Sequence, residues 1–104
     1  MEIRYYVTRD GKTPFIHWLK KLRDQRARDR IHNQLDRLRL GLVGDYKAVG
    51  DGVHELRIHY GPGYRIYFGY SGKTIILLLC GGSKKSQQRD IVRAKRYWID
   101  YRRS

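Results

Sequence analysis

A single run of apolar residues does most to limit what this chain can fold into. No charged side chain interrupts residues 74–80. A run of this length is typical of a central strand that is buried on both faces. Its apolar core, Ile75 to Cys80, is far too short to cross a bilayer, which takes about 20 residues. We therefore expect a sheet with this strand near its centre and helices packed against it.

Two further strands are predicted just before this run. Residues 53–60 and 64–70 are separated by Gly-Pro-Gly, and Ser-Gly follows the second strand, so turns should join all three. The second strand alternates cleanly, which places Arg65 and Tyr67 on the face opposite Tyr64, Ile66 and Phe68. In the first strand the apolar phase slips between Val53 and Leu56, which indicates either a bulge or a late strand start.

The N-terminal half predicts one strand and two helices. Residues 3–8 are rich in β-formers and read as a strand. Thr13-Pro14 has the pattern of a helix start, and Asp24 is the expected cap of a second helix. Gly41 should end that second helix. Its apolar stripe consists of Ala27, Ile31, Leu35 and Leu38.

The remaining segments complete the predicted order. Residues 41–52 read as a glycine-punctuated loop, with room for a short edge strand near Tyr46 to Val49. Ser86 is the expected cap of a last helix that runs to Arg102. The result is a single α+β domain over residues 1–104, in the order β-α-α-β-β-β-α, with a mainly antiparallel sheet packed against helices.

Charge is the first indication of function. Lys and Arg total 23 against 10 Asp and Glu, a formal net charge of +13. A solubility surface needs a net charge of only about 2 to 8, so a polyanionic partner is expected, and nucleic acid fits best. A membrane surface is the weaker option because no lipidation motif is present.

The cysteine content and the N-terminal residues limit which other classes of protein are possible. One cysteine cannot form an internal disulfide, and no Cys/His spacing typical of a metal site occurs. We therefore expect neither metal nor cofactor. The first residues lack the apolar region of a signal peptide, so a cytoplasmic protein without a membrane partner is expected.

Four blocks in the second half of the chain form a recognisable series. They are Glu55-Leu56-Arg57-Ile58, the stretch GPGYRIY at 61–67, LLLCGG at 77–82, and Asp90-Ile91 with Ala94-Lys95. Together they resemble the RelE/ParE superfamily, and within it the HigB-like addiction module killer proteins related to phage Gp49. The resemblance covers nearly the whole chain, and residues 55–98 are its specific part.

This resemblance implies the toxin of a type II toxin–antitoxin pair. The expected partner is a cognate antitoxin, often a helix-turn-helix DNA-binding protein, and operator DNA would be reached only through that complex. RelE and HigB relatives cleave messenger RNA, usually on the ribosome, whereas ParE relatives inhibit DNA gyrase. Fold alone does not choose between these activities. We rank a metal-independent mRNA endonuclease first, then a gyrase inhibitor without its own active site, then a non-toxic RNA-binding module.

The first hypothesis requires particular catalytic groups. A metal-free ribonuclease needs a base for the 2′-hydroxyl, cations for the phosphate and an acid for the leaving 5′-oxygen. The resemblance implies a catalytic arginine at Arg65, which we expect on the open face of the sheet, and a second catalytic cation at Lys85. Arg57 either lies beside Arg65 across the hairpin or forms a salt bridge with Glu55 or another acid. His54 is a candidate acid or base because imidazole titrates near neutrality.

Four more residues are candidates for binding RNA. Lys84 precedes Lys85 in the basic loop, and Lys47 aligns loosely with a lysine of RelE-like sites. The others are Tyr67, as a stacking platform on the Arg65 face, and Arg89 early in the last helix. One position departs from the pattern. Ile91 stands where RelE-like toxins often carry a catalytic tyrosine, so the base must come from elsewhere or the nuclease must be weak.

Overall fold

The apolar run lies inside a five-stranded sheet. The computed structural model describes all residues 1–104. Its strands are β1 (Glu2–Tyr5), β2 (Tyr46–Gly50), β3 (Val53–Ile58), β4 (Tyr64–Ser71) and β5 (Ile75–Ser83), and its helices are α1 (Pro14–Lys21), α2 (Gln25–Arg39) and α3 (Gln87–Arg103). The spatial order is β1-β5-β4-β3-β2, with β1 parallel to β5 and all other pairs antiparallel. The α+β class and the mainly antiparallel sheet are therefore confirmed.

Helices cover both faces of this sheet. Ile76 and Leu78 of β5 pack into a core with α1 and α2, whereas Leu77 and Leu79 belong to a second core with Trp98 of α3. All four β5 side chains are at most 2% exposed, which confirms a strand buried on both faces. We expected the face that carries Arg65 to be open. It is not, because α3 packs against it.

The structure has one strand more than the predicted order. Residues 46–50 form the edge strand β2 on the outer side of β3, so Lys47 lies in a strand and not in a loop. The predicted slip in β3 is not a bulge in that strand. Val53 faces the α3 core and Leu56 faces the α1–α2 core, so β3 buries apolar side chains on both sides. The register shift lies in β2, between Ala48 and Gly50.

The predicted signals at the two ends of α2 are confirmed, whereas Thr13 and Ser86 stand at the N-cap positions of α1 and α3 without a side-chain capping hydrogen bond. The Asp24 carboxylate accepts hydrogen bonds from the backbone N–H of Arg26 at 2.9 Å and of Ala27 at 3.3 Å. At the other end of α2, Gly41 has a φ of +82°. The N–H groups of Gly41 and Leu42 bond back to the last turn of the helix, which is a Schellman end. None of the helices has the length and apolar character that a membrane span requires.

Candidate functional site

Arg57 and Arg65 lie directly opposite one another on β3 and β4. Two like charges at such a position repel unless a counter-charge lies between them. Glu55 supplies that charge: its Oε1 is 3.2 Å from Nε of Arg57 and 3.6 Å from Nε of Arg65. The two alternatives predicted for Arg57 therefore occur at the same time, because Arg57 lies beside Arg65 and also forms a salt bridge with Glu55.

Glu55 is fully buried, which is unusual for a carboxylate. Its Oε2 accepts hydrogen bonds from the Tyr67 hydroxyl at 3.1 Å and from Nε2 of Gln87 at 2.9 Å. Burial by itself raises the pKa of Glu55. The hydrogen bonds from Gln87, Arg57 and Tyr67 and the charge of Arg65 outweigh burial, so the pKa of Glu55 is lowered. Glu55 is thus an ionised anchor, which makes it a poor proton acceptor near neutrality.

The anchor leaves the ends of both arginines free. Glu55 accepts a hydrogen bond from Nε of Arg57, whereas Nε of Arg65 lies 3.6 Å away and has no hydrogen-bond partner. The terminal nitrogens of both arginines also have no hydrogen-bond partner in the protein. The Arg57 side chain is 31% exposed and that of Arg65 is 11% exposed. Two guanidinium groups with one carboxylate retain a positive charge. Such a pair can accept a phosphate, because a guanidinium presents paired N–H donors to its oxygens.

Two lysines border the arginine pair. Lys84 donates its backbone N–H to the carbonyl oxygen of Gly63 at 2.8 Å. A Cβ atom built on Gly63 would lie 3.6 Å from Cβ of Lys84 and 3.9 Å from Nη1 of Arg65, so both residues flank the same glycine. Lys47 is the cross-strand partner of Glu55 and therefore projects from the same face of the sheet.

Lys85 and Arg89 lie on a different side of the helix start. Both are exposed and line a notch of about 590 Å³ together with Ser83, Ser86 and Gln88. Gln87 reaches Glu55, and Arg89 follows two residues later, about 200° further around the helix. The structure therefore groups four cations around Glu55, namely Arg57, Arg65, Lys84 and Lys47. It places Lys85 and Arg89 on a different side of the start of α3.

Two candidates are in the wrong place for the roles predicted. His54 precedes Glu55 in β3, so its ring projects from the opposite face, where it stacks on Phe68 with centroids 5.4 Å apart. Burial lowers the pKa of His54, and the imidazole cannot serve the arginine pair from there. Tyr67 is fully buried beneath α3, so the prediction that a base stacks on its ring is wrong.

The position that carries Ile91 is structural here. Ile91 is half-buried and packs against the core between α3 and the sheet. No group of three His, Cys, Asp or Glu side chains is arranged to hold a metal ion. Near the two guanidinium groups the chain thus offers cations and hydrogen-bond donors. On the Arg57 side it also brings the exposed residues His59 and Asp45, whose side chains are hydrogen-bonded to each other at 2.5 Å and line one cavity with Arg57.

Several functional side chains gave no clear signal in the sequence. Glu55 was visible only as one salt-bridge option for Arg57, because burial of a carboxylate depends on tertiary structure. Gln87 gave no signal. The loop that carries Lys84 is held by Ser86, whose hydroxyl donates to Oδ2 of Asp90 at 2.5 Å, and the Asp90 side chain is almost fully buried.

Comparison with known proteins places the chain in a family. The profile of the family described as "Phage derived protein Gp49-like (DUF891)" matches residues 17–98, which include every candidate site residue. The chain belongs to the Gp49-like family. This family is one of RelE/HigB-like toxins, and toxins of this kind pair with an antitoxin. An uncharacterized protein of Haemophilus influenzae is 46% identical over 81 residues, which cover 78% of this chain and 82% of that protein.

Proposed function

We propose that this Gp49-like protein is the toxin of a type II toxin–antitoxin pair and that it cleaves messenger RNA on the ribosome without a metal ion. The observation that carries the proposal is the pair Arg57 and Arg65, held side by side by one buried carboxylate with their terminal nitrogens free. Lys84 and Lys47 border the pair. The net charge of +13 fits an RNA partner.

The reaction would follow the intrinsic chemistry of RNA. The 2′-hydroxyl oxygen attacks the adjacent phosphorus, the bond to the 5′-oxygen breaks, and the products are a 2′,3′-cyclic phosphate and a 5′-hydroxyl end. Negative charge accumulates on the phosphate oxygens in the transition state. Arg57 and Arg65 would stabilise that charge, and removal of a single such donor commonly lowers the rate by about 10² to 10³.

Proton transfer is the part that this chain supplies least. His54 faces the other side of the sheet, Ile91 is a packing residue and Glu55 is buried and ionised. His59 lines a cavity with Arg57, but its imidazole is hydrogen-bonded to Asp45 and not to the arginine pair. A dedicated acid or base is worth roughly 10² to 10⁴ in rate. We therefore expect the free protein to be a slow nuclease and the ribosomal site to align the RNA for attack.

The same observation favours one alternative. A protein that poisons DNA gyrase by binding needs no base of its own, and no histidine of this chain is hydrogen-bonded to either arginine, which is compatible with such an inhibitor. The two activities differ in the nucleic acid that is damaged. Only the nuclease leaves new 5′ ends in messenger RNA, whereas the inhibitor causes DNA breaks and leaves messenger RNA intact.

Induction in bacterial cells tests the proposal. The wild type, Arg65→Ala and the control Arg37→Ala would be expressed from one promoter, and 5′ ends of messenger RNA would be mapped within minutes. Arg37 is an exposed arginine of α2, remote from the pair in the sequence, and its loss changes the net charge equally. We expect new RNA ends and growth arrest with the wild type and with Arg37→Ala, and neither with Arg65→Ala. Growth arrest with intact messenger RNA and a DNA-damage response would refute the nuclease and support the gyrase alternative.

A further inference from the structure

An open groove separates α1 from the first half of α3. Its volume is about 950 Å³, and Gly81, Gly82 and Ser83 of β5 line it between the two helices. The groove exists because β1 is short. The paired residues of β1 end at Tyr5, opposite Leu78, while β5 continues for five more residues. No strand therefore covers the outer edge of β5 over its last residues.

Two glycines, Gly81 and Gly82, line this groove. A Cβ atom on Gly81 would collide with Cε3 of Trp18, so the indole ring rests directly on the backbone there. Trp18 also packs edge-on against Tyr64, at a centroid distance of 6.2 Å. On the α3 wall, Tyr97 is half-buried, stacks on Tyr6 with centroids 4.8 Å apart and also lines the groove. The groove thus has aromatic side chains within its lining.

The walls of the groove are strongly cationic. Its charged lining consists of five cations and one carboxylate: Lys12, Lys20, Lys21, Arg89, Arg93 and Asp90. Asp90 is 3% exposed, accepts the Ser86 hydroxyl and lies 4.0 Å from Nη1 of Arg93, so it offsets that one arginine. Lys12 pairs with Asp10 at 3.7 Å, whereas Lys20, Lys21 and Arg89 have no acidic partner. Nε of Arg93 is buried without a hydrogen-bond partner.

The groove is continuous with the notch beside the candidate site. Ser83, Ser86 and Arg89 line both cavities, and Lys85 lines the notch. Lys84 follows on the side of Arg65. Cations therefore line the groove from α1 to the start of α3 and the adjoining notch, and Lys84 follows beside Arg65. A positively charged groove that also presents aromatic side chains is typical of proteins that bind single-stranded nucleic acid.

We propose that the groove between α1 and α3 is a track for single-stranded RNA that holds the strand next to the phosphate bound at Arg57 and Arg65. The inference rests on the proposed function for the identity of the strand. It also gives a role to Lys85 and Arg89, which the fold places away from the arginine pair. Phosphates would contact the lysines and arginines of the walls, and unpaired bases would lie against Trp18 and Tyr97.

Binding of an RNA that cannot be cleaved tests the track separately from catalysis. The probe is a fluorescein-labelled 12-nucleotide oligouridine with 2′-O-methyl groups, and the readout is fluorescence anisotropy over a series of salt concentrations. The variant is Lys20→Ala with Lys21→Ala, two exposed positions of α1. The matched control is Arg26→Ala with Arg37→Ala, two exposed positions of α2 that lie outside the groove and remove the same charge.

We expect the lysine variant to bind the RNA at least tenfold more weakly than the control variant. Its plot of log K against log salt should also flatten, by about 0.7 for each phosphate that the groove no longer binds. Equal decreases in affinity for the two variants would overturn the track, because they would show a response to net charge alone. The track would also be overturned if the groove prefers an acidic peptide. In that case the binding of a 12-residue polyglutamate would depend on the two lysines, and the binding of RNA would not.

The two proposals fail separately. If Arg65→Ala abolishes messenger RNA cleavage while the lysine variant binds RNA like the control, the nuclease stands and the track is wrong. If the lysine variant no longer binds RNA but no messenger RNA is cut in cells, the track stands as an RNA-binding surface and the nuclease is wrong.

Discussion

Replacement of Glu55 by glutamine should test how the arginine pair is held. The change keeps the shape of the side chain and removes its charge. Arg65 is then left 11% exposed with no counter-charge. Removal of one partner from a buried ion pair costs about 3 to 5 kcal/mol. We expect a value near the lower limit, about 3 kcal/mol, because Arg57 is 31% exposed and can take up water.

Chemical and thermal unfolding measure this effect. For a domain of about 100 residues, 1 kcal/mol shifts Tm by roughly 4 °C, so Glu55→Gln should unfold about 12 °C below the wild type. Glu2→Gln is the matched control, because Glu2 pairs with Arg4 at the surface. Exposed pairs contribute little to stability, and we expect no measurable shift there.

A double variant and a pH series separate the charge from the packing. Glu55→Gln with Arg65→Met should be more stable than Glu55→Gln alone, because it no longer buries an unpaired cation. The pKa of Glu55 is lowered in the folded state. Its contribution is therefore complete above its unfolded pKa, about 4.3, and is lost as the pH falls through the lowered folded value. The wild type should accordingly lose its advantage over Glu55→Gln in acid. A fall of less than 1 kcal/mol for Glu55→Gln at pH 7 would refute the account of the anchor.

Three further predictions follow from positions outside the arginine pair. His54→Gln should retain toxicity on induction, because His54 faces the other side of the sheet; loss of toxicity in a folded variant would contradict this. Burial raises the pKa of Cys80 to about 12, so iodoacetamide at pH 8 should label the thiol only in denaturant, and rapid labelling of the native protein would show that the core is open. Gly82→Ala should lower the free energy of unfolding by about 1 to 3 kcal/mol, since the new Cβ would collide with Oδ2 of Asp90; an unchanged urea midpoint would count against the packing described here.

The sequence predicted those parts of the fold that depend on local rules. Asp24 and Gly41 mark the ends of α2 through capping and positive φ, and the Gly-Pro-Gly turn places Arg57 opposite Arg65. The edge strand β2 was only an option because glycines surround it and its residues are mostly exposed. Which face of the sheet α3 covers depends on contacts between distant segments. The alternation of residues in the strands therefore led us to expect an exposed face where α3 packs.

The candidate site was likewise predictable only where local sequence rules apply. Strand alternation and the family resemblance pointed to Arg65, and the hairpin brought in Arg57. The burial of Glu55 was not predictable, because carboxylates normally lie at the surface and this one is buried only through Gln87, Tyr67 and the two arginines. The role predicted for His54 failed because a residue type that titrates near neutrality says nothing about which face of a strand it occupies.

The central claim is that Arg57 and Arg65 together stabilise charge on an RNA phosphate. The most direct measurement is the rate of messenger RNA cleavage by purified protein on programmed ribosomes, followed by primer extension under single-turnover conditions. We predict discrete cuts with a 5′-hydroxyl end for the wild type, and a rate at least about 100-fold lower for Arg65→Ala when its unfolding midpoint shows that it is folded. Cleavage by Arg65→Ala at the wild-type rate, or intact messenger RNA in reactions whose translation has stopped, would contradict it.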